Sequence, residues 1–351
     1  AEIEAFARTI GETNRTFFRL GYGFTRTRNG SVNMHAVLCV PTVRGNWQYE
    51  GGGALHSCYG LYQLNKSMIE GLDALNPTTR MLDQSRIGAI LTDNAQDLAN
   101  GPPVTAMLIQ NTNPANIAPD QTKVLAGLAR EDLFLCVHDQ FLTETAKYAD
   151  ILLPTTMFLE HDDMYTASGH PHIMFGPKIV DAPGECRSNH WMINELAKRL
   201  GVEHPGFDMT ERDLIDWTLK ASGRGDLDKL LHDRWIECAP SFETAHFLDG
   251  FAHEDRKFHF KAEWATLANG ALTEDMPTFP DHWSITDETD DTHPFRLVTA
   301  PARAFLGSIF TETPTARENE VRPRLYIHPK DAAEHGIADH ARICIGNERG
   351  R

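Results

Sequence analysis

Two apolar runs in this chain end on side chains suited to gripping a ligand. Residues 104–109 deliver Gln110-Asn111-Thr112-Asn113 before Pro114, and residues 133–137 deliver His138-Asp139. If both runs are parallel strands of one open α/β sheet, ligands bind beyond their carboxyl ends, and Asn113 and Asp139 face one crevice. An Asp there can accept two hydrogen bonds from a guanine edge or a ribose diol, and an ionised acceptor makes the stronger bond. The same residue types also cap helices, so Asn113 and Asp139 could equally close the helices that follow.

Gly21-Tyr-Gly-Phe-Thr-Arg-Thr-Arg-Asn-Gly30 follows one apolar run and precedes a helical stretch. Glycines there allow backbone to approach a phosphate, and a helix N-terminus favours an anion. The spacing is not GxGxxG. Arg26 and Arg28 could pair with phosphate or a substrate anion, or could be solvated surface arginines. Glu160-His-Asp-Asp163 with His170-Pro-His172 invites a metal reading, but the spacing matches no compact zinc or iron pattern. With 17 histidines in the chain, chance clusters are expected. Nucleophile elbow, P-loop and HExxH motifs are absent from the sequence.

The elements that must position these groups follow a βαβ pattern. Residues 17–20 read as a strand, 21–23 as a turn, and 31–43 as a helix with Ser31 as N-cap. The triplet 51–53 breaks the pattern, and an amphipathic stretch over 64–75 reads as another helix. The clearest unit runs from 104 to 154: strand 104–109, helix 121–130, strand 133–137, helix 142–148, strand 151–153. Fully apolar strands imply a sheet covered on both faces, with right-handed crossovers. A polar loop over 160–177 follows, then helices at 190–200 and 211–221. Residues 273–294 read as an acidic, proline-containing linker. Beyond it, 295–298, 324–327 and 341–345 read as short strands.

The chain has 351 residues, 33 Lys and Arg against 49 Asp and Glu, and a formal net charge of −16, which argues against a nucleic-acid backbone binder. No apolar run approaches the ~18–20 residues that cross a bilayer, so the chain reads as soluble and without a transmembrane segment. Cys39, Cys58, Cys136, Cys186, Cys238 and Cys344 lie far apart with no CxxC pair, which excludes a local zinc ribbon or ferredoxin-type cluster. They read as ordinary free or buried thiols. The chain opens on what reads as a helix already under way and closes on a strand running into a turn, as expected of an internal segment of a longer protein.

Taken together and in order, these segments resemble the large subunits of the molybdopterin oxidoreductases, among them dimethyl sulfoxide reductases, periplasmic nitrate reductases and molybdenum formate dehydrogenases. The resemblance covers nearly the whole chain. Residues 19–30, then Pro41-Thr-Val-Arg-Gly-Asn46 and Gly51-Gly-Gly53, resemble the family's glycine turn, helix and GN…GGG loop. Asn113-Pro114 and Asp120 are similar to its NP…PD element, and residues 133–154 form the most specific stretch. Phe158-Leu-Glu-His161 with Tyr165 and Gly169 resembles the FxEKxGxYxN loop. Residues 299–308, His328-Pro-Lys-Asp-Ala332, Gly336-Ile337 and Asn347-Glu-Arg-Gly350 resemble the start of the C-terminal cap barrel.

The resemblance implies a Rossmann-like α/β region over 1–272, with a polar active-site loop at 155–177 and helical structure over 189–222. It further implies a truncated dinucleotide-binding β-barrel over 295–351. It implies a bis(molybdopterin guanine dinucleotide) cofactor carrying molybdenum or tungsten, contacted by Tyr22, Arg26, Asn113, His138, Asp139, His161, Asn189, Thr299, Arg303 and Ser308, with Asp139 as the nucleotide ligand. Arg26 stands where relatives often carry Gln, His161 where many carry Lys, and Asn189 where many carry Asp. The metal-ligating residue and any 4Fe-4S cysteine motif are expected upstream, leaving no catalytic residue or protein metal ligand in this segment. The implied activity is two-electron redox or oxo transfer on a small substrate, with an iron–sulfur or cytochrome electron-transfer partner. Two alternatives stand beside it: a non-catalytic electron-transfer scaffold of the same family, and a plain dinucleotide-binding domain. The missing GxGxxG counts against the second.

Overall fold

The computed structural model describes residues 1–27, 29–264, 276–282 and 288–350. Arg28 and parts of the 273–294 segment lie outside the described residues. In chain order the strands are β1 (Phe17–Arg19), β2 (Gly53–Leu55), β3 (Ala106–Gln110), β4 (Phe134–Asp139), β5 (Ile151–Pro154), β6 (Asp163–Tyr165), β7 (His172–Gly176) and β8 (Trp235–Glu237). The helices used below are α1 (Glu2–Glu12), α2 (Gly30–Arg44), α3 (Ile87–Leu91), α4 (Pro114–Ile117), α5 (Gln121–Leu128), α6 (Asn189–Leu200), α7 (Glu211–Ala221) and α8 (Leu227–Asp233).

Segments of two compact units alternate along the sequence. The first comprises Ala1–Lys66, Asp163–Gly176 and Arg212–Arg296; the second comprises Ser67–Asp162, Pro177–Glu211 and Leu297–Arg351.

In the second unit the apolar runs pair as a parallel sheet in the order β3-β4-β5. The register sets Gln110 opposite His138 and Asp139 opposite Pro154. A further parallel bridge joins Thr155 to Arg187, adding one more position to the sheet edge. Ile109, Leu135 and Val137 pack with Val124 and Leu128 of α5 and Leu91 of α3 in one buried cluster. Each fully buried aliphatic side chain contributes about 1.5–3 kcal/mol. Helices α3 and α5 meet through glycines: a Cβ on Gly127 would stand 2.3 Å from the Leu91 Cβ, and one on Gly88 would stand 2.9 Å from the Val124 nitrogen.

In the first unit β1 and β2 form a parallel pair, and β6, β7 and β8 form an antiparallel sheet. Ile173 of β7 and Ile236 of β8 are cross-strand neighbours and join Ile215 and Leu219 of α7, Leu227 and Leu230 of α8, and Tyr62 in the core. The Tyr62 hydroxyl donates to the Ala167 and His170 carbonyls and accepts from the Ala167 N–H.

Several expectations are corrected. The polar loop over 160–177 contains β6 and β7; Ile173 faces inward and Met174 is exposed, and strands this short are hidden by the polar residues that flank them. The helix expected over 142–148 shrinks to a 3-10 turn at Ala146–Tyr148, because side chains satisfy the backbone before it: Asn113 accepts from Thr145 N–H and Thr143 Oγ1 from Ala146 N–H. The helix expected over 64–75 is a single turn, Ser67–Glu70. Ile69, Leu72 and Leu75 are exposed there, and an amphipathic face that buries nothing does not sustain a helix. The turn at 21–23 becomes a helical turn, Tyr22–Thr25, and the N-cap of α2 is Asn29 rather than Ser31. α2 ends as its Gly45 predicts, at φ 73°.

The strands expected at 295–298, 324–327 and 341–345 do not occur: among the described residues of 295–350 the regular elements are the helices Pro314–Glu320 and Pro329–Glu334, with isolated bridges Leu306–Ile309 and Asn347–Gly350. Val298 and Tyr326 in these runs are exposed. A strand exists only through a hydrogen-bonded neighbour, and these runs have none among the described residues.

Candidate functional site

The carboxyl ends of β3, β4 and β5 bring five of the expected side chains to one edge of the second unit. After β3 the chain reverses at Asn111, whose φ of 51° is a left-handed value that Asn tolerates. Asn113 then turns inward and is 4% exposed. Its Oδ1 accepts from the Thr145 N–H at 3.1 Å and the Thr145 hydroxyl at 2.8 Å. Its Nδ2 donates to Glu144 Oε2 at 2.7 Å. That bond, with help from Asn116, holds the Glu144 carboxyl below its ordinary range. Asn113 is thus a clamp between the loops after β3 and β4.

His138 is 1% exposed at the end of β4. Burial pushes its imidazole down, against opposing contributions from the Arg187 and Pro154 backbone and from Asp139. Gln110 Nε2 lies 3.3 Å from its Nδ1, an arrangement that suits a neutral ring accepting at Nδ1. Asp139 is half-buried. Its Oδ1 accepts from the Phe141 N–H at 3.2 Å, an Asx turn, and its other oxygen has no partner among the described residues.

Beyond β5, Thr155 and Thr156 are buried. The Arg187 N–H donates to the Pro154 carbonyl, and the Arg187 carbonyl accepts from the Thr156 N–H. Ser188 caps α6, accepting from the Trp191 N–H while donating to Glu211. Asn189 is fixed from both sides: Oδ1 accepts from the Thr155 hydroxyl at 3.2 Å, and Nδ2 donates to Asn111 Oδ1 at 2.8 Å. His161 Nδ1 lies 2.8 Å from the Thr156 hydroxyl.

The other expected residues lie elsewhere. Thr299, Arg303 and Ser308 belong to the second unit, where the 306–309 turn approaches Ile117 of α4 at Gly307. Tyr22 and Arg26 belong to the first unit, with Tyr22 edge-on to His56 and the Arg26 guanidinium 6.0 Å from the Tyr22 ring. The histidine-rich motif divides likewise: His161 is in the second unit, while His170 and His172 are in the first, where His172 pairs with Glu237. Among the described residues no three His, Cys, Asp or Glu side chains converge as a metal site, and all six cysteines are free.

Glu144, Thr145 and Arg187 also line the candidate site and were not singled out from the sequence, while Thr155 and Thr156 were covered only by the 155–177 loop. The strand-end rule that selected Asn113 and Asp139 also reaches Thr155 and Thr156, which follow Pro154 directly. A separate small cleft between Arg86 and Asp120 already has both charges paired, Arg86 with Asp97 and Asp120 with Lys123.

Comparison with known proteins decides the family. Residues 5–199 match the molybdopterin oxidoreductase family. The chain belongs to that family. Residues 295–351 further match the molydopterin dinucleotide binding domain. Over 99% of its length this molybdopterin oxidoreductase chain is 33% identical to the probable oxidoreductase YoaE of Bacillus subtilis, covering 50% of it. It is 24% identical to the dimethyl sulfoxide reductase DmsA of Escherichia coli over 99% of the chain and 47% of that protein. It is 27% identical to a nitrate reductase of Symbiobacterium thermophilum over 100% of the chain and 50% of the relative. The chain therefore spans about half the length of these curated relatives. Among solved structures, acetylene hydratase from Pelobacter acetylenicus superposes with a TM-score of 0.54 at 20% identity, over 71% of this chain and 34% of that one, a likeness of fold. No described helix is long and apolar enough to cross a membrane.

Proposed function

We propose that the strand-end crevice of the second unit holds the guanine nucleotide end of a bis(molybdopterin guanine dinucleotide) cofactor. The donor set fits that group. Asp139 offers a carboxylate oxygen without a partner among the described residues, beside a buried neutral His138, and a carboxylate is the acceptor that a guanine edge, with its adjacent N–H donors, requires. That free oxygen at the end of β4 is the observation that carries the reading. Asn189, held by Thr155 and Asn111, and His161, held near Thr156, would flank the nucleotide. Asn113 would shape the crevice from below rather than touch the ligand. Tyr22, Arg26, Thr299, Arg303 and Ser308 are assigned to the cofactor by resemblance alone.

When bound, the cofactor supplies molybdenum or tungsten for two-electron redox or oxo-transfer chemistry. In the whole protein this segment would bind and orient the cofactor, with the metal-ligating residue and any 4Fe-4S cluster supplied by other segments. An electron-transfer partner and a small redox substrate complete the reading. Residues 1–272 would form the α/β nucleotide-binding region and 295–351 part of the dinucleotide-binding domain, joined through 273–294.

Molybdenum and tungsten content, measured by elemental mass spectrometry on the complete protein from a cofactor-competent host, tests this. A stoichiometric metal complement supports the enzyme. Folded protein without metal would replace it with the electron-transfer scaffold.

A further inference from the structure

We infer that Arg187 is the phosphate-binding residue of this crevice, an assignment that rests on the nucleotide reading above. Its backbone is locked into the sheet edge through Pro154 and Thr156. Its guanidinium carbon lies 5.3 Å from the Trp191 ring centroid, and Nη1 donates to the Cys186 carbonyl at 2.8 Å. No carboxylate pairs with it among the described residues. Arg86 pairs with Asp97, Arg130 with Asp132, and Arg199 with Glu195, whereas Arg187, like Arg80 on the Leu98 and Pro102 carbonyls, is bonded to backbone. In a chain of net charge −16, Arg187 sets a cation without a carboxylate partner among the described residues at the ligand edge of the parallel sheet.

The geometry points to an anion. A guanidinium lying against an indole keeps its plane fixed and its remaining N–H edge presented, which lowers the ordering cost of a two-point contact with phosphate. Arg187 bridges to the chain beyond β5, and β5 lies beside β4, whose end carries Asp139. Strands ~4.8 Å apart place the two residues about 10 Å apart along the edge. That separation is on the order of a nucleoside's length, with the base at Asp139 and the phosphates at Arg187. The ligand class is a guanosine phosphate, and Arg187 reads the phosphate end.

The test uses the complete protein, purified from a host unable to make the pterin and titrated with GDP and with guanosine by calorimetry and tryptophan fluorescence. Arg187→Ala should weaken GDP binding about ten- to hundredfold, the worth of a charge-assisted contact, and leave guanosine unchanged. Trp191→Leu keeps the charge but frees the guanidinium, and should weaken GDP binding alone by a smaller factor; it also serves if Arg187→Ala fails to fold. Equal GDP affinity in the wild type and the folded variants overturns the assignment of Arg187 while leaving the pocket in place. Wild-type protein that binds neither ligand overturns the nucleotide reading itself, and Arg187's role with it.

Discussion

Asn113 and Thr145, thirty-two positions apart in sequence, are joined by two hydrogen bonds to one amide oxygen, 2.8 Å from the hydroxyl and 3.1 Å from the backbone N–H. Both residues are buried, so the pair fixes the loop after β3 against the loop after β4. Asn113→Ala should cost about 2–4 kcal/mol, because it strands buried donors on Thr145. A lowered urea midpoint measures it, and an unchanged midpoint would show that water replaces the amide.

Asn113→Asp is a sharper variant. It sets a carboxylate against Glu144, whose own carboxyl is held low by the Asn113 amide. In the wild type a depressed carboxyl stabilises the fold above its ordinary value of 4.5 and loses that contribution as pH falls. The variant should reverse the trend, least stable near neutrality and recovering in acid as one carboxyl takes a proton. Thermal melts at a series of pH values report the sign.

His138 gives an acid limit of its own. Burial lowers its folded pKa below the ordinary 6.5, so the unfolded chain binds the proton more readily. Stability is then full above 6.5 and declines as pH falls from there toward the folded value. His138→Gln, which keeps a neutral polar group, should flatten that decline between pH 7 and 5. Equal slopes for the two proteins would assign the decline to other groups.

Gly127→Ala tests the helix contact behind the sheet. The added methyl meets the Leu91 Cβ, part of a buried helix, so α3 and α5 must separate at a cost of about 1–3 kcal/mol. Faster amide exchange across α5 and β4 is the local readout, since both share the Leu91 cluster.

Asp139→Asn should relax base choice. A carboxylate accepts only, which suits guanine's N–H edge, whereas an amide also donates and tolerates adenine. Guanosine affinity of the cofactor-free protein should drop about tenfold or more, with adenosine unchanged or improved. Arg187→Ala should leave this base preference intact.

The parallel sheet was legible because β3, β4 and β5 are unbroken apolar runs with strong punctuation, Pro114 opening α4 and Pro154 ending β5; the cover expected on both faces is incomplete among the described residues, where Leu108, Phe134, Ile151 and Leu152 are exposed. Asp139 was legible from the same rule, since strand ends in such sheets collect ligand groups. The clamp was not: nothing local to Thr145 announces that a side chain thirty-two residues earlier will satisfy its N–H and suppress a helix. β6 and β7 escaped because they are short, three and five residues, and their apolar pieces sit among histidines and aspartates that read as a loop. Arg187 escaped for a related reason: a two-residue bridge has no periodicity to detect, and only its pairing with Thr155 brings it to the edge.

The alternation of segments between the two units constrains how the molecule can be made and dissected. Polypeptide passes between them at 66–67, 162–163, 176–177, 211–212 and 296–297, so neither unit corresponds to one contiguous stretch of gene. On the ribosome, β3, β4 and β5 can pair once residue 154 has emerged, yet β7 must wait for β8 some sixty residues later. The Ile173 edge is therefore bare on a nascent chain that already carries a finished sheet, and that interval is where a chaperone would be needed.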